Sequence, residues 1–298
     1  MNQWRALAVG IALCLTAPHV AAAQFTAPSA VVRTTPEMPT RGSMIWLRVE
    51  DDPTRNDQDR LTGVTGEAAG EPLHFESSDR GFEALLGVPV DGGDTLTVAL
   101  QLARAGRSDS IALTLTVQQP SYHRERITVP PKMVHYDSLI QARIESEGAR
   151  AREVSRRAHE TPRLWASPIT LPRPSRITSP YGGAREYNGV VTSRHTGTDF
   201  AGAVGAPVVA AARGVVALVA DFYLAGRAVY LDHGAGLVTG YFHLSRVDVA
   251  AGDTVKAGQR IGGVGKSGRV TGPHLHWIVR YGAISVDPMT LVRLGEAE

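Results

Sequence analysis

The sequence predicts a mostly β protein: a small β-sandwich domain, then a helical connector, then an antiparallel sheet-rich domain. Three observations carry this. Between Met44 and Val117, short runs of alternating polarity (Met44 to Val49, Phe82 to Val90, Thr95 to Leu100, Ile111 to Val117) are broken by clusters such as Asp91-Gly92-Gly93-Asp94, the texture of a sandwich of short strands. From Tyr136 to Ala158 the chain is rich in Arg, Glu, Ala and Ile, with Gly148 its one glycine and no proline. After Arg176 short Val-rich or aromatic runs return, richer in glycine and without the strand–helix alternation of a parallel sheet.

Taken in order, residues 1–23 read as a signal peptide: Arg5 supplies a positive start, Ala6 to Thr16 an apolar run, and Ala21-Ala22-Ala23 the small residues of a cleavage site. Export to the periplasm or cell envelope is the consequence. The apolar run is shorter than the ~20 residues a bilayer-spanning helix needs, and no later segment reaches that length, so no membrane span is expected in the mature chain. The single cysteine, Cys14, lies inside the signal, so the exported part must be held by burial or metal rather than disulfides. A net charge of +2, with no basic block interleaved with aromatics, gives no footprint for nucleic acid.

Residues 24–43, rich in Pro, Thr and Ala, read as an irregular lead-in, and 44–120 as the sandwich. The acidic cluster Glu50, Asp51, Asp52, Asp57 and Asp59 lacks the spacing of a calcium loop and reads as a solvated loop. Residues 132–160 are the connector, where Leu139 or Ile140, Ile144 and Val154 give an exposed helix one narrow apolar stripe. Four prolines, Pro162, Pro168, Pro172 and Pro174, mark 161–175 as a stiff linker. Residues 176–292 then form the sheet-rich domain, in which no helix is expected.

Five of the ten histidines fall between His195 and His276. In His195-Thr196-Gly197-Thr198-Asp199 the glycine between β-branched residues argues against a helix. On a straight strand the two ends would lie about 13 Å apart, too far to share an ion, so the chain must bend, and Gly197 is the residue that permits it. In His274-Leu275-His276, strand alternation puts both imidazoles on one face. Spacing allows both to bind one metal, or one to bind while its neighbour works on substrate. Alternation aligns His243 with Tyr241 and Thr239, opposite Phe242; His233 falls at a strand end.

These pieces resemble the lysostaphin-type, or LytM-like, zinc peptidases that cut peptidoglycan cross-bridges. The matching motifs are His195-x-x-x-Asp199, Tyr241-x-His243-Leu244-Ser245 and His274-x-His276, in that family's order. The flanks Ser179-Pro180-Tyr181-Gly182, Gly252-Asp253-x-Val255-Lys256-x-Gly258-Gln259 and Thr271-Gly272-Pro273 agree, over roughly residues 176–292. The resemblance implies one zinc held by His195, Asp199 and His276, with a fourth position open to water. It makes His274 the catalytic histidine and general base, with His243 orienting it or stabilising the oxyanion. It also suggests Tyr187 as an oxyanion donor, as a tyrosine ahead of the first motif is in some relatives, though the spacing differs here. The implied substrate is the peptide stems of peptidoglycan. The alternative it leaves is a non-enzymatic LytM-like envelope factor that binds or activates a partner hydrolase. Gly262-Gly263-Val264-Gly265-Lys266-Ser267 lacks the first glycine of a phosphate loop, and neither Ser193 nor Ser245 lies in a serine-hydrolase elbow.

Overall fold

The computed structural model describes residues 24–27, 30–51, 54, 59–128, 136–166 and 169–296. The signal peptide, Asp52, Asp57, residues 132–135 and Pro168 lie outside them. The protein is built mainly of antiparallel sheets, as expected. The first domain pairs two of them: Gln24–Ala27, Ala30–Thr35, Met44–Asp51, Gly81–Gly87 and Glu76–Ser78 in that order, against Glu71–Leu73, Leu61–Ala68, Thr95–Arg104 and Arg107–Thr116. Thr95–Arg104 buries every second residue, Leu96, Val98, Leu100 and Leu102, as period-two alternation demands.

Three expectations need correcting here. The lead-in is not irregular, because Ala30–Thr35 pairs with Met44–Asp51 and buries Ala30, Val32 and Thr34. Its Thr and Pro content hid a short alternation. The strand Leu61–Ala68 also escaped the sequence reading, since Gly63 and Gly66 dilute its pattern, and Gly66 is needed where a side chain would meet the Ala99 carbonyl at 2.6 Å. Finally, the described part of the acidic cluster is not a solvated loop. Asp51 Oδ1 lies 3.0 Å from Arg104 Nη1, whose side chain is fully buried, and Asp59 pairs with Arg107 at 2.9 Å.

Helix α1, Ser138–Arg157, starts where the Asp137 carboxylate accepts from the amides of Leu139 and Ile140, both at 3.0 Å. It is more than an exposed connector. Ile144, Ala151, Val154 and Ala158 pack on Phe222, Tyr230, Val238, Phe242 and Ile278 of the second domain, and Glu147 accepts from the Tyr223 amide at 2.7 Å. The proline-rich segment after it is likewise packed rather than free: Trp165 and Ile169 join the main core.

The second domain centres on a sheet ordered Ile177–Ser179, Thr198–Ala201, His274–Tyr281, Leu237–Leu244, Gly226–Gly234, Gly214–Phe222 and Thr254–Val255. One face (Tyr241, Trp277, Phe200, Leu231) enters the main core, and the other carries the α1 contacts. A short strand from before the helix, Arg124–Ile127, joins the hairpin Ala184–Tyr187/Val190–Arg194 in parallel. Contrary to the expectation of no helix in this domain, Pro288–Glu296 forms α2. Proline occupies its first turn, and Asp287 Oδ1 accepts from the Met289 amide at 2.9 Å. Its apolar residues, Leu291, Val292 and Leu294, are too few for periodicity to declare it.

A candidate metal centre and its flanking histidines

Two neighbouring strands set the centre. Asp199 on Thr198–Ala201 stands directly opposite His276 on His274–Tyr281, and Phe242 pairs with His276 from the other side. Cross-strand partners of this kind have their Cβ atoms about 5 Å apart, so Asp199 and His276 meet without distortion. His195 arrives from the end of the preceding hairpin and turns in through Thr196 and Gly197. The expected bend is present, but Gly197 does not have the positive φ that only glycine tolerates well. Its role is clearance: a Cβ there would meet His276 Nε2 at 2.7 Å and the Trp277 carbonyl at 2.6 Å.

His195 Nε2 lies 3.1 Å from Asp199 Oδ1 and 3.1 Å from His276 Nδ1, and those last two atoms are 2.7 Å apart. One ligand atom from each of the three residues falls within 4.8 Å of the others. On its far side His195 Nδ1 is 2.8 Å from the Pro180 carbonyl. A carbonyl only accepts, so Nδ1 carries the proton and Nε2 presents a lone pair. With His195 neutral, that lone pair faces the Asp199 carboxylate oxygen, an unfavourable meeting of acceptors that either a proton on Nε2 or a metal ion at that point resolves. Burial raises the Asp199 carboxyl, but hydrogen bonds and charge from His195 and His276 outweigh it and hold it well below the ordinary range. Burial also lowers the His276 imidazole, more than the adjacent Asp199 raises it. Ionised carboxylate and neutral imidazole are the forms that coordinate, and two histidines with one carboxylate are a donor set that suits zinc.

His274 and His243 stand beside this group, their rings 4.9 Å apart, with His243 5.8 Å from the His276 ring. Each is anchored in the same way: His274 Nδ1 donates to the Gly272 carbonyl at 2.9 Å and His243 Nδ1 to the Ser267 carbonyl at 3.0 Å. Both Nε2 atoms are thereby left as acceptors. His274 Nε2 lies 3.7 Å from Asp199 Oδ1. Burial, reinforced by His276, pushes His243 down to about 4, so it is neutral near pH 7.

The position of His243 corrects the alternation argument. Arg227 pairs with Leu244 but Val229 with Tyr241, so Leu237–Leu244 carries one extra residue, and His243 takes the left-handed φ of 60°. The bulge takes His243 away from Tyr241 and onto the side of Phe242, whose ring stacks on His276 at 5.4 Å. Tyr241 instead faces the core, accepting from the Ala211 amide at 2.9 Å.

The structure thus gathers His195, Asp199, His276, His274 and His243. Tyr187 stands apart: in its hairpin Ala184 pairs with Arg194, next to His195, whereas Tyr187 pairs with Val190 at the other end, about 10 Å further along at ~3.3 Å per residue. His233 is buried in the strand Gly226–Gly234, with Nδ1 donating to the Arg213 carbonyl at 2.8 Å and Nε2 2.8 Å from Thr239 Oγ1. The carbonyls of Pro180, Ser267 and Gly272 were not legible as functional, because a backbone acceptor has no residue signature. Phe242 was placed on the wrong side of its neighbour by the same alternation.

A sheet face that converges two imidazoles and a carboxylate, with two further imidazoles alongside, is a candidate site for a metal ion. Residues 193–288 match peptidase family M23. A solved structure assigned to peptidase M23 from Pseudomonas aeruginosa is 26% identical, with a TM-score of 0.64, over 85% of this chain and 95% of that one. The peptidoglycan DD-endopeptidase ShyA of Vibrio cholerae is 48% identical over 83 residues, 28% of this chain and 19% of its own length. The DD-carboxypeptidase/endopeptidase Mpg of Neisseria meningitidis is 42% identical over 118 residues, 39% of this chain and 27% of its own. The chain therefore spans less than a third of these curated relatives.

Proposed function

We propose that the protein is an exported zinc metalloendopeptidase that hydrolyses peptide cross-links of peptidoglycan. The observation that carries this reading is the convergence of His195 Nε2, Asp199 Oδ1 and His276 Nδ1 within about 3 Å of one another. The names of the M23 relatives supply the substrate class, and residues 1–23 supply the export signal.

In this reading His195, Asp199 and His276 hold the metal. Zinc, when bound there, supplies Lewis acidity toward a water and a peptide carbonyl. His274 Nε2 takes the proton of the attacking water and delivers it to the leaving amine, its ring fixed for both steps by the Gly272 carbonyl. His243 is neutral, with its proton on Nδ1 committed to Ser267. It therefore accepts a hydrogen bond from the attacking water and orients it, rather than donating to an oxyanion. Tyr187, at the outer end of its hairpin, receives no role.

The test is metal content and cleavage together. Purified protein should carry about one zinc per chain by atomic emission, and His276→Ala should lose both the zinc and the release of muropeptides from sacculi, with product masses identifying the bond cut. Stoichiometric zinc without cleavage would remove the enzyme reading, and a zinc-free chain that still cleaves would remove the metal.

A further inference from the structure

Beneath α1, on the face of the sheet that carries His276, lies a cavity of about 320 Å³, a size that suits a small ligand or a short stretch of peptide. It adjoins the metal centre at Phe242, whose ring stacks on His276, and Thr196, the neighbour of His195, lines its edge beside Ser285, the cross-strand partner of Arg280. Its floor is Ile278, and its far end is formed by Arg280 of the sheet and Arg152 of the helix. Arg280 comes four residues after His276 on one strand and one face, a span of about 13 Å, which an extended peptide of about four residues would match.

The charge in this cavity is unbalanced. Among the described residues neither Arg152 nor Arg280 forms a direct ion pair; burial lowers the Arg280 guanidinium, Arg152 adds to this while Tyr230 and Glu71 oppose it, and Arg280 Nη2 donates to the Ala283 carbonyl at 3.5 Å. The nearby acids are committed elsewhere. Glu147 accepts from the Tyr223 amide and from Arg143 Nε, both at 2.7 Å, and Glu71 accepts from the Ala283 amide at 2.7 Å and lies 2.8 Å from His159 Nε2. Two guanidinium forks facing a solvent-filled space are matched to a carboxylate. The helix also keeps that space open. Gly148 sits in the interior of α1, where glycine costs about 1 kcal/mol relative to alanine, and a Cβ there would meet only Arg152, with Nη1 at 3.2 Å.

We infer that this cavity is a subsite for a carboxylate of the substrate, held by Arg152 and Arg280 a few residues from the bond that is cut. The inference rests on the peptidase reading for its ligand, since a peptide that contributes its side-chain amine to a cross-link keeps its own C-terminal carboxylate. It gives α1, which bears none of the metal-centre residues, a part in specificity.

The experiment compares two synthetic stem peptides that differ only in free carboxylates against carboxamides, titrated calorimetrically into the full-length, zinc-loaded chain. The wild type should bind the acid form about tenfold more tightly, and Arg152→Gln, an exposed helical position, should abolish that preference while leaving affinity for the amide form unchanged. Arg280→Gln should do the same, with its thermal transition recorded to show that it folds. Equal affinity of the wild type for the two peptides, or a preference that survives in both variants, overturns the subsite. If the preference is found and cross-linked muropeptides stay intact, the subsite stands and the endopeptidase reading falls.

Discussion

His243 shows what the candidate metal centre asks of a single residue. A non-glycine side chain in the left-handed region costs about 1–2 kcal/mol, and here the outlier lies in the bulge that brings an imidazole beside His274 and His276. His243→Gly should therefore be more stable than His243→Ala by about 1 kcal/mol in urea denaturation, while both lose about a hundredfold or more in kcat. An alanine variant as stable as the glycine variant would show the backbone to be unstrained, and a glycine variant that retained activity would remove His243 from the proposed chemistry. His233 is the contrasting case, a histidine buried for structure. Its proton is committed to Arg213, its other nitrogen faces Thr239, and burial lowers its pKa. Below pH 6.5 the unfolded chain takes up a proton that the folded chain refuses, so this contribution to stability is complete above pH 6.5 and is lost as the pH falls, by up to about 1.4 kcal/mol per pH unit. The His233 ring resonances should accordingly stay those of the neutral imidazole down to acid unfolding, and titration near 6.5 in the folded protein would contradict this.

At the scale of elements, strong periodicity was legible and local exceptions to it were not. Thr95–Arg104 and His274–Tyr281 obey period two and were readable as strands, with His274 and His276 on one face. The bulge at His243 was not readable, because one inserted residue reverses the face of the residues after it and leaves no mark in composition. Gly197 was noticed for the wrong reason: the sequence shows that a glycine is present, but only the packing of His276 and Trp277 shows that a side chain has no room there. Helix α1 was found from composition, yet its stripe looked too sparse to bury. The reason is that small residues, Ala151 and Ala158, make up much of the contact, and hydropathy patterning undervalues close approach by small side chains. The gathering of His195, Asp199, His276, His274 and His243 was legible from their motifs, whereas spacing alone did not divide the histidines between coordination and catalysis.

Across the whole molecule, the parts read from sequence as separate domains share one core. Trp46 of the sandwich lies 6.2 Å from Trp165, Tyr281 donates to the Pro72 carbonyl at 2.7 Å, and the Met44 amide donates to Thr290 of α2 at 2.9 Å. Leu47 and Leu86 of the first domain and Trp277 and Val279 of the second belong to a single buried cluster. Such a chain should melt in one calorimetric transition. A chain beginning at residue 161 would uncover Phe222, Tyr230 and Ile278 beneath the missing α1, and the Tyr281 side beneath the missing sandwich. At about 1.5–3 kcal/mol for each large apolar side chain returned to water, uncovering even two of these costs about 3–6 kcal/mol, a lowering of Tm by about 10 °C or more for a domain of this size. The truncated chain should also bind a hydrophobic dye that the full chain does not. Two resolved transitions in the full chain, one at the melting temperature of the truncated domain, would show instead that the two halves are stable independently and that α1 and the sandwich contribute nothing to the stability of the peptidase sheet.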